Sequence, residues 1–167
     1  MKNEVRKGAE SRLRTLAIGG LFLTFLCLPI GASAALGGGV SSVEADQQQM
    51  KAMRAVHAKP NYTVHEITTP YGTTVREYVS PDGKVFGVAW RGPFLPNMQQ
   101  LLGSYYGQFE QSAQAARAQQ PRRSRNAPLT VKQPELVVHS GGHMRAYAGH
   151  AYVPGMVPPG VATQEIR

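Results

Sequence analysis

The sequence predicts an α+β domain in which an antiparallel sheet of about five strands packs against one main amphipathic helix, with a short helix before it. Three observations predict it. Tyr62 to Trp90 alternates in the manner of strands around two Pro-x-Gly turns, Pro70-Tyr71-Gly72 and Pro81-Asp82-Gly83. Met98, Leu101, Leu102, Tyr105, Tyr106 and Phe109 recur at helical spacing. A final hairpin is signalled by short apolar runs on either side of Ser140-Gly141-Gly142.

The first 34 residues read as a cleavable signal peptide. Lys2, Arg6, Lys7, Arg12 and Arg14 precede an apolar run from Leu16 to Leu28, Pro29 and Gly31 break it, and Ala32-Ser33-Ala34 supplies the small-x-small cleavage site. The run is shorter than the roughly 20 residues a spanning helix needs. The expected location is therefore the periplasm, the alternative being inner-membrane anchorage by an uncleaved leader. Cys27 is the one cysteine and lies in the leader. A mature chain from residue 35 to 167 then has no disulfide, thiolate nucleophile or Cys-ligated zinc, and folds on a single hydrophobic core.

The net charge of +8 is weaker evidence for nucleic acid than it looks. Without the leader 13 basic and 8 acidic residues remain, a balance of +5, and Arg117, Arg122, Arg123 and Arg125 supply four of these charges. A nucleic-acid footprint needs basic side chains spread over a folded face. No nucleic acid is expected as a partner.

Along the chain, Ser41 and Glu44 suggest a capping box opening a helix over about Ser42 to His57, with Val43, Met50, Met53 and Val56 as a weak apolar stripe and Pro60 ending it. The two turns fit three-residue hairpin loops, each a type I turn closed by a left-handed glycine. That fixes a register. One face carries Val64, Tyr78 and Phe86, then Glu66, Arg76 and Val88, then Thr68, Thr74 and Trp90; it is expected to be the core face because it holds the large aromatics. The other carries Ile67, Val75 and Ala89, then His65, Glu77 and Gly87, then Thr63, Val79 and Val85. The helix from Met98 to Phe109 is expected to dissolve after Ala113 into a solvated loop, Arg-rich at about 117–128. Leu136 to His139 and His143 to Val153 form the last hairpin, and a Pro/Gly-rich tail runs from Pro154 to Arg167.

Candidate sites are few. His139 and His143 flank the glycine turn. A two-residue Gly141-Gly142 loop puts them on opposite faces; a three-residue Ser140-Gly141-Gly142 loop puts them side by side, able to chelate a metal. A metal needs a third protein ligand, for which Glu135 or His150 is nearest in sequence. His65 and Glu77 fall opposite one another beside Gly87, a possible pocket with acid and base but without a nucleophile or oxyanion donors. Neither the Gly37-Gly38-Gly39 stretch nor any G-x-S-x-G arrangement points to a nucleotide or a serine nucleophile. Arg122, Arg123 and Arg125 offer weak contact with an anionic surface.

At Val75-Arg76-Glu77-Tyr78-Val79-Ser80-Pro81-Asp82-Gly83-Lys84-Val85-Phe86, Ala89-Trp90-Arg91-Gly92-Pro93, Leu101-Leu102-Gly103 and Ser140-Gly141-Gly142-His143-Met144-Arg145-Ala146 the chain resembles a family of exported proteobacterial proteins, domain of unknown function 2844. The resemblance implies export and carries over no catalytic or binding residue. The expectation is a non-enzymatic binding or adaptor module for another envelope protein, without a cofactor, its partner surface being the partly apolar second face or the tail with Tyr152, Val153, Met156 and Val157. The rivals are a periplasmic metal binder at His139/His143 and a hydrolase-like enzyme at His65/Glu77.

Overall fold

The computed structural model describes residues 36–119 and 128–167. The leader and Arg122, Arg123 and Arg125 lie outside the described residues. The chain forms α1 (Val40–Gln49), β1 (Met53–Ala58), β2 (Thr63–Thr68), β3 (Thr74–Val79), β4 (Val85–Gly92), α2 (Met98–Leu102), α3 (Tyr106–Gln119), β5 (Leu129–Lys132), β6 (Val137–His143) and β7 (Ala146–Tyr152). The strands make one antiparallel sheet in the order β1-β2-β3-β4-β7-β6-β5, with β4 beside β7 joining the meander to the last hairpin. The α+β class stands; the sheet has seven strands rather than five.

Both extra strands are edges. The segment expected to continue the first helix instead turns at Lys51, whose φ is 49°, and pairs as β1 with β2 from Met53↔Thr68 to Ala58↔Thr63. The weak stripe explains this: Met53 is 77% exposed even in the strand, so a helix there would have buried little, whereas a strand satisfies the backbone groups of β2. The capping box does not form either. Gly39 is the N-cap, the Ser42 hydroxyl donates to its carbonyl, and Glu44 pairs with Arg54 on β1 at 3.6 Å. At the other edge β5 pairs with β6 in place of a longer loop.

Both turns form as expected, with Gly72 and Gly83 at φ 81° and 77° and each donating its N–H to the residue three before it, Thr69 and Ser80. The β2–β3 register is the expected one throughout. Between β3 and β4 a bulge intervenes. Val79 pairs with Val85, but Tyr78 pairs with Gly87, Glu77 with Val88 and Val75 with Trp90, leaving Phe86 as the extra residue. The bulge exchanges the faces of every later residue of β4.

That exchange decides where the core sits. Ile67, Val75, Val79, Val85, Val88 and Trp90 form the main core beneath the helices, with Val43 of α1 and Leu101 and Leu102 of α2. The face bearing Val64, Tyr78, Phe86 and Ala89 belongs to a second cluster with Tyr62 and Ile166. The expectation that the helices cover the aromatic face is therefore reversed. The main helix is also interrupted: Gly103, at φ 49°, ends α2 after five residues, a 3-10 turn follows over Gly103–Tyr105, and α3 runs on to Gln119, past the Ala113 at which it was expected to fray. Ala113 is buried.

The C-terminal segment is not a free tail. It crosses the aromatic face with two short 3-10 turns, Pro154–Met156 and Thr163–Glu165, and ends with Ile166 1% exposed. Tyr62 donates from its hydroxyl to Glu165 Oε2 at 2.6 Å, while the Tyr78 hydroxyl and Arg76 Nη1 donate to the Arg167 backbone oxygen at 2.9 and 3.0 Å. The hydrogen bond to the Glu165 carboxylate, then burial, pushes the Tyr62 phenol up to about 12.

Candidate functional site

Register places a row of side chains from β2 across to the β5 edge of the sheet on its tail-side face. Glu66 pairs with Arg76, Arg76 with Ala89, Ala89 with His150, His150 with His139 and His139 with Thr130. The adjacent row runs Thr68, Thr74, Arg91, Ala148, Gly141. Ala89, Ala148 and Gly141 in these rows are small, while the tail packs mainly over the next row, with Tyr78, Gly87 and Tyr152, and reaches the first only at Ala89 and through Arg167 at Arg76. What remains is a cleft of about 880 Å3 with Arg76, Arg91, Arg167, His139 and His150 among its lining residues and Pro128 and Leu129 at the β5 side.

The polar groups of the cleft are partly fixed. Arg76 Nε donates to Glu66 Oε2 at 2.8 Å, which sets that guanidinium against the strand. His139 and His150 have ring centroids 4.9 Å apart, His150 stacks on Tyr152 at 6.4 Å, and His139 Nδ1 lies 3.2 Å from Thr130 Oγ1. Burial, and then the neighbouring His139, hold the His150 imidazole below its ordinary pKa. Arg91 and Arg167 form no ion pair among the described residues. At the β2–β3 turn Tyr71 meets Phe94 edge-on at 6.1 Å, both exposed, and a smaller depression of about 400 Å3 shares Arg91, Gly92 and Ala148 with the main cleft.

A family model described as a protein of unknown function, DUF2844, matches residues 32–166. The chain belongs to the DUF2844 family. No curated protein and no solved structure matches it. Within this DUF2844 chain, the segments that carry the resemblance form β3, its turn and the start of β4, the end of β4, the end of α2, and the β6–β7 hairpin. Three of them therefore build the strands beneath the cleft.

The structure places the expected site residues differently. His139 and His143 lie on the same strand four residues apart, about 13 Å along it, and do not meet. The turn falls at Met144-Arg145, with Arg145 at φ 65°, and His143 pairs with Ala146. The glycines of this hairpin serve close approach: a Cβ on Gly149 would sit 2.4 Å from Trp90 Cζ2, and one on Gly142 would sit 2.3 Å from the Ala146 carbonyl oxygen. Among the described residues no three His, Cys, Asp or Glu side chains converge as a metal site. Tyr152, Val153, Met156 and Val157 pack inward or along the aromatic cluster and are not a free partner surface.

His65 and Glu77 are paired as expected, but on the helix side and beneath α1. Gly87 is on the other face, where a Cβ would meet Ile166 at 3.1 Å, so no pocket opens beside the pair. What meets Glu77 is Asp46 of α1. Burial first, then the Asp46 carboxylate with which it shares a hydrogen bond, pushes the Glu77 carboxyl up to about 9; Arg54 opposes this. Gln100 of α2 donates to Asp46 Oδ1 at 2.5 Å. His65 is held below its ordinary pKa by burial and then by Arg54. The arrangement ties α1 and α2 to the sheet. Sequence reading missed Arg76 and Arg91 as site residues and named His150 only as a metal ligand, because their shared face becomes legible only once the bulge and the Met144-Arg145 turn are known; it missed Asp46 because that residue comes from α1.

Proposed function

We propose that the DUF2844 chain is an exported, non-enzymatic binding module that holds part of another envelope component in the tail-side cleft. The observation that carries this reading is the cleft itself, about 880 Å3 across the five strands β3, β4, β7, β6 and β5, floored by small residues and walled by arginine and histidine side chains. A rigid sheet positions every one of these groups, as a binding site needs. Export is supported by the basic, apolar and small-x-small pattern of the first 34 residues. No described helix is long and apolar enough to cross a membrane.

Two features favour binding over catalysis. The paired acid and base, His65 and Glu77, are 6% and 1% exposed and out of a substrate's reach. The cleft's histidines have no carboxylate side chain among the lining residues to orient them, and the one hydroxyl placed against them, Thr130 Oγ1 at 3.2 Å from His139 Nδ1, belongs to an exposed threonine on edge strand β5. A photo-crosslinking residue in place of Thr130, which is exposed at the cleft wall, tests the reading in cells. Capture of a discrete envelope component is expected.

A further inference from the structure

We propose that the cleft takes an oxyanion, a carboxylate or phosphate carried on an organic body, an inference that rests on the cleft being the binding face. Of the charged side chains lining it, Arg76, Arg91 and Arg167 are cationic and none is acidic; Arg76 Nη1 is already taken by the Arg167 main-chain oxygen at 3.0 Å, which leaves the guanidinium groups of Arg91 and Arg167 for a ligand. The carboxylates near it on the same side are engaged, Glu66 by Arg76 Nε at 2.8 Å and Glu165 by the Tyr62 hydroxyl at 2.6 Å. Arg91 and Arg167 have no carboxylate partner among the described residues, so a ligand anion would meet guanidinium groups that need not first break an ion pair.

Register brings these groups to one place. Arg76 and His150 flank Ala89, their Cα atoms two strand spacings or about 10 Å apart, and Arg91 is diagonal to His150 at about 7–8 Å. An arginine side chain spans much of either gap, and a planar guanidinium matches the paired oxygens of a carboxylate or phosphate. On the far wall the imidazoles of His139 and His150 can each donate a ring N–H. Ala89, Ala148 and Gly141 keep the space between open. The volume exceeds that of a bare ion, and Pro128 and Leu129 give the wall an apolar stretch, so the anion comes with a body to pack there.

Titration of the protein with glucuronate, with glycerol 3-phosphate and with phosphatidylglycerol vesicles, followed by calorimetry, tests this and separates the sources of the anion. Saturable binding of at least one soluble anion, with glucose and phosphatidylcholine vesicles inert, is expected; binding to the vesicles alone assigns the anion to a lipid headgroup. Arg91→Ala and Arg167→Ala should each weaken binding by about tenfold, the loss of one charged hydrogen-bond partner, while Arg117→Ala on α3 leaves it unchanged. Equal binding of the neutral probes, no binding of any anion, or an equal loss in Arg117→Ala overturns the proposal. If the anions fail while the Thr130 crosslinker still captures its component, the ligand chemistry is wrong and the binding face survives; if both fail, the binding face falls too.

Discussion

Glu77→Gln is expected to raise the stability of the protein at pH 7 by about 3 kcal/mol. The Glu77 carboxyl is buried, and its pKa is raised from 4.5 to about 9, first by burial and then by Asp46. A raised carboxyl pKa means that the folded state keeps a proton which the unfolded state has released. Its stabilising contribution is fully present below pH 4.5 and is lost as pH rises towards 9, at about 1.4 kcal/mol per unit. At pH 7 some two and a half units of that loss have accumulated, hence the figure. Glutamine donates a hydrogen bond to Asp46 without a proton to lose, and Asp46 keeps the hydrogen bond from Gln100. Urea unfolding at pH 5, 7 and 8.5 should show the advantage of the variant growing with pH. An advantage that is absent, or constant with pH, would mean that the Asp46–Glu77 pair does not hold the proton.

Ile166→Ala is expected to cost about 3 kcal/mol, an effect of the size found for large-to-small changes in a packed core. The side chain is 1% exposed and fills the space over Gly87, where its Cδ1 and Cγ2 lie 3.1 and 3.2 Å from the position a Cβ would take. Tyr62, Tyr78 and Phe86, with ring centroids 5.9 to 6.1 Å apart, form the rest of that cluster. Truncation leaves a cavity against aromatic rings that a sheet cannot close by moving. The midpoint of urea unfolding reports the loss; a shift worth less than about 1 kcal/mol, the size of a surface change, would show that the C-terminal segment is not part of the core.

These expectations rest on parts of the molecule that the sequence discloses unevenly. The β2–β3 hairpin and its register follow from alternation and a Pro-x-Gly turn, because both are local. The bulge at Phe86 does not: Val85, Phe86, Val88, Ala89 and Trp90 are apolar enough to suit either face, so alternation alone cannot say which of them is displaced. That single residue determines whether Trp90 or Ala89 floors the tail-side face, and so whether a cleft exists there. The turn of the last hairpin is masked in the sequence for a related reason. Gly141 and Gly142 signal a turn, whereas Gly142, at φ 133°, is required by close approach to Ala146 within the strands and a non-glycine, Arg145, takes the left-handed position of the turn. Edge strand β1 was hidden by helix-compatible residues whose pairing with β2 is a long-range matter. His65 opposite Glu77 was readable, but the buried Asp46 that gives the pair its character comes from α1, which no pattern in β2 or β3 could supply.

The measurement that bears most directly on the tail-side cleft as the binding face is photo-crosslinking in living cells, with the reactive residue at Thr130 in one strain and at Val56, exposed on the β1 edge, in another. Capture of the same discrete envelope component from Thr130 and not from Val56, lost on Arg91→Ala, is the expected result. Capture from Val56 with none from Thr130 would place the partner on the β1 edge and contradict the assignment of the cleft.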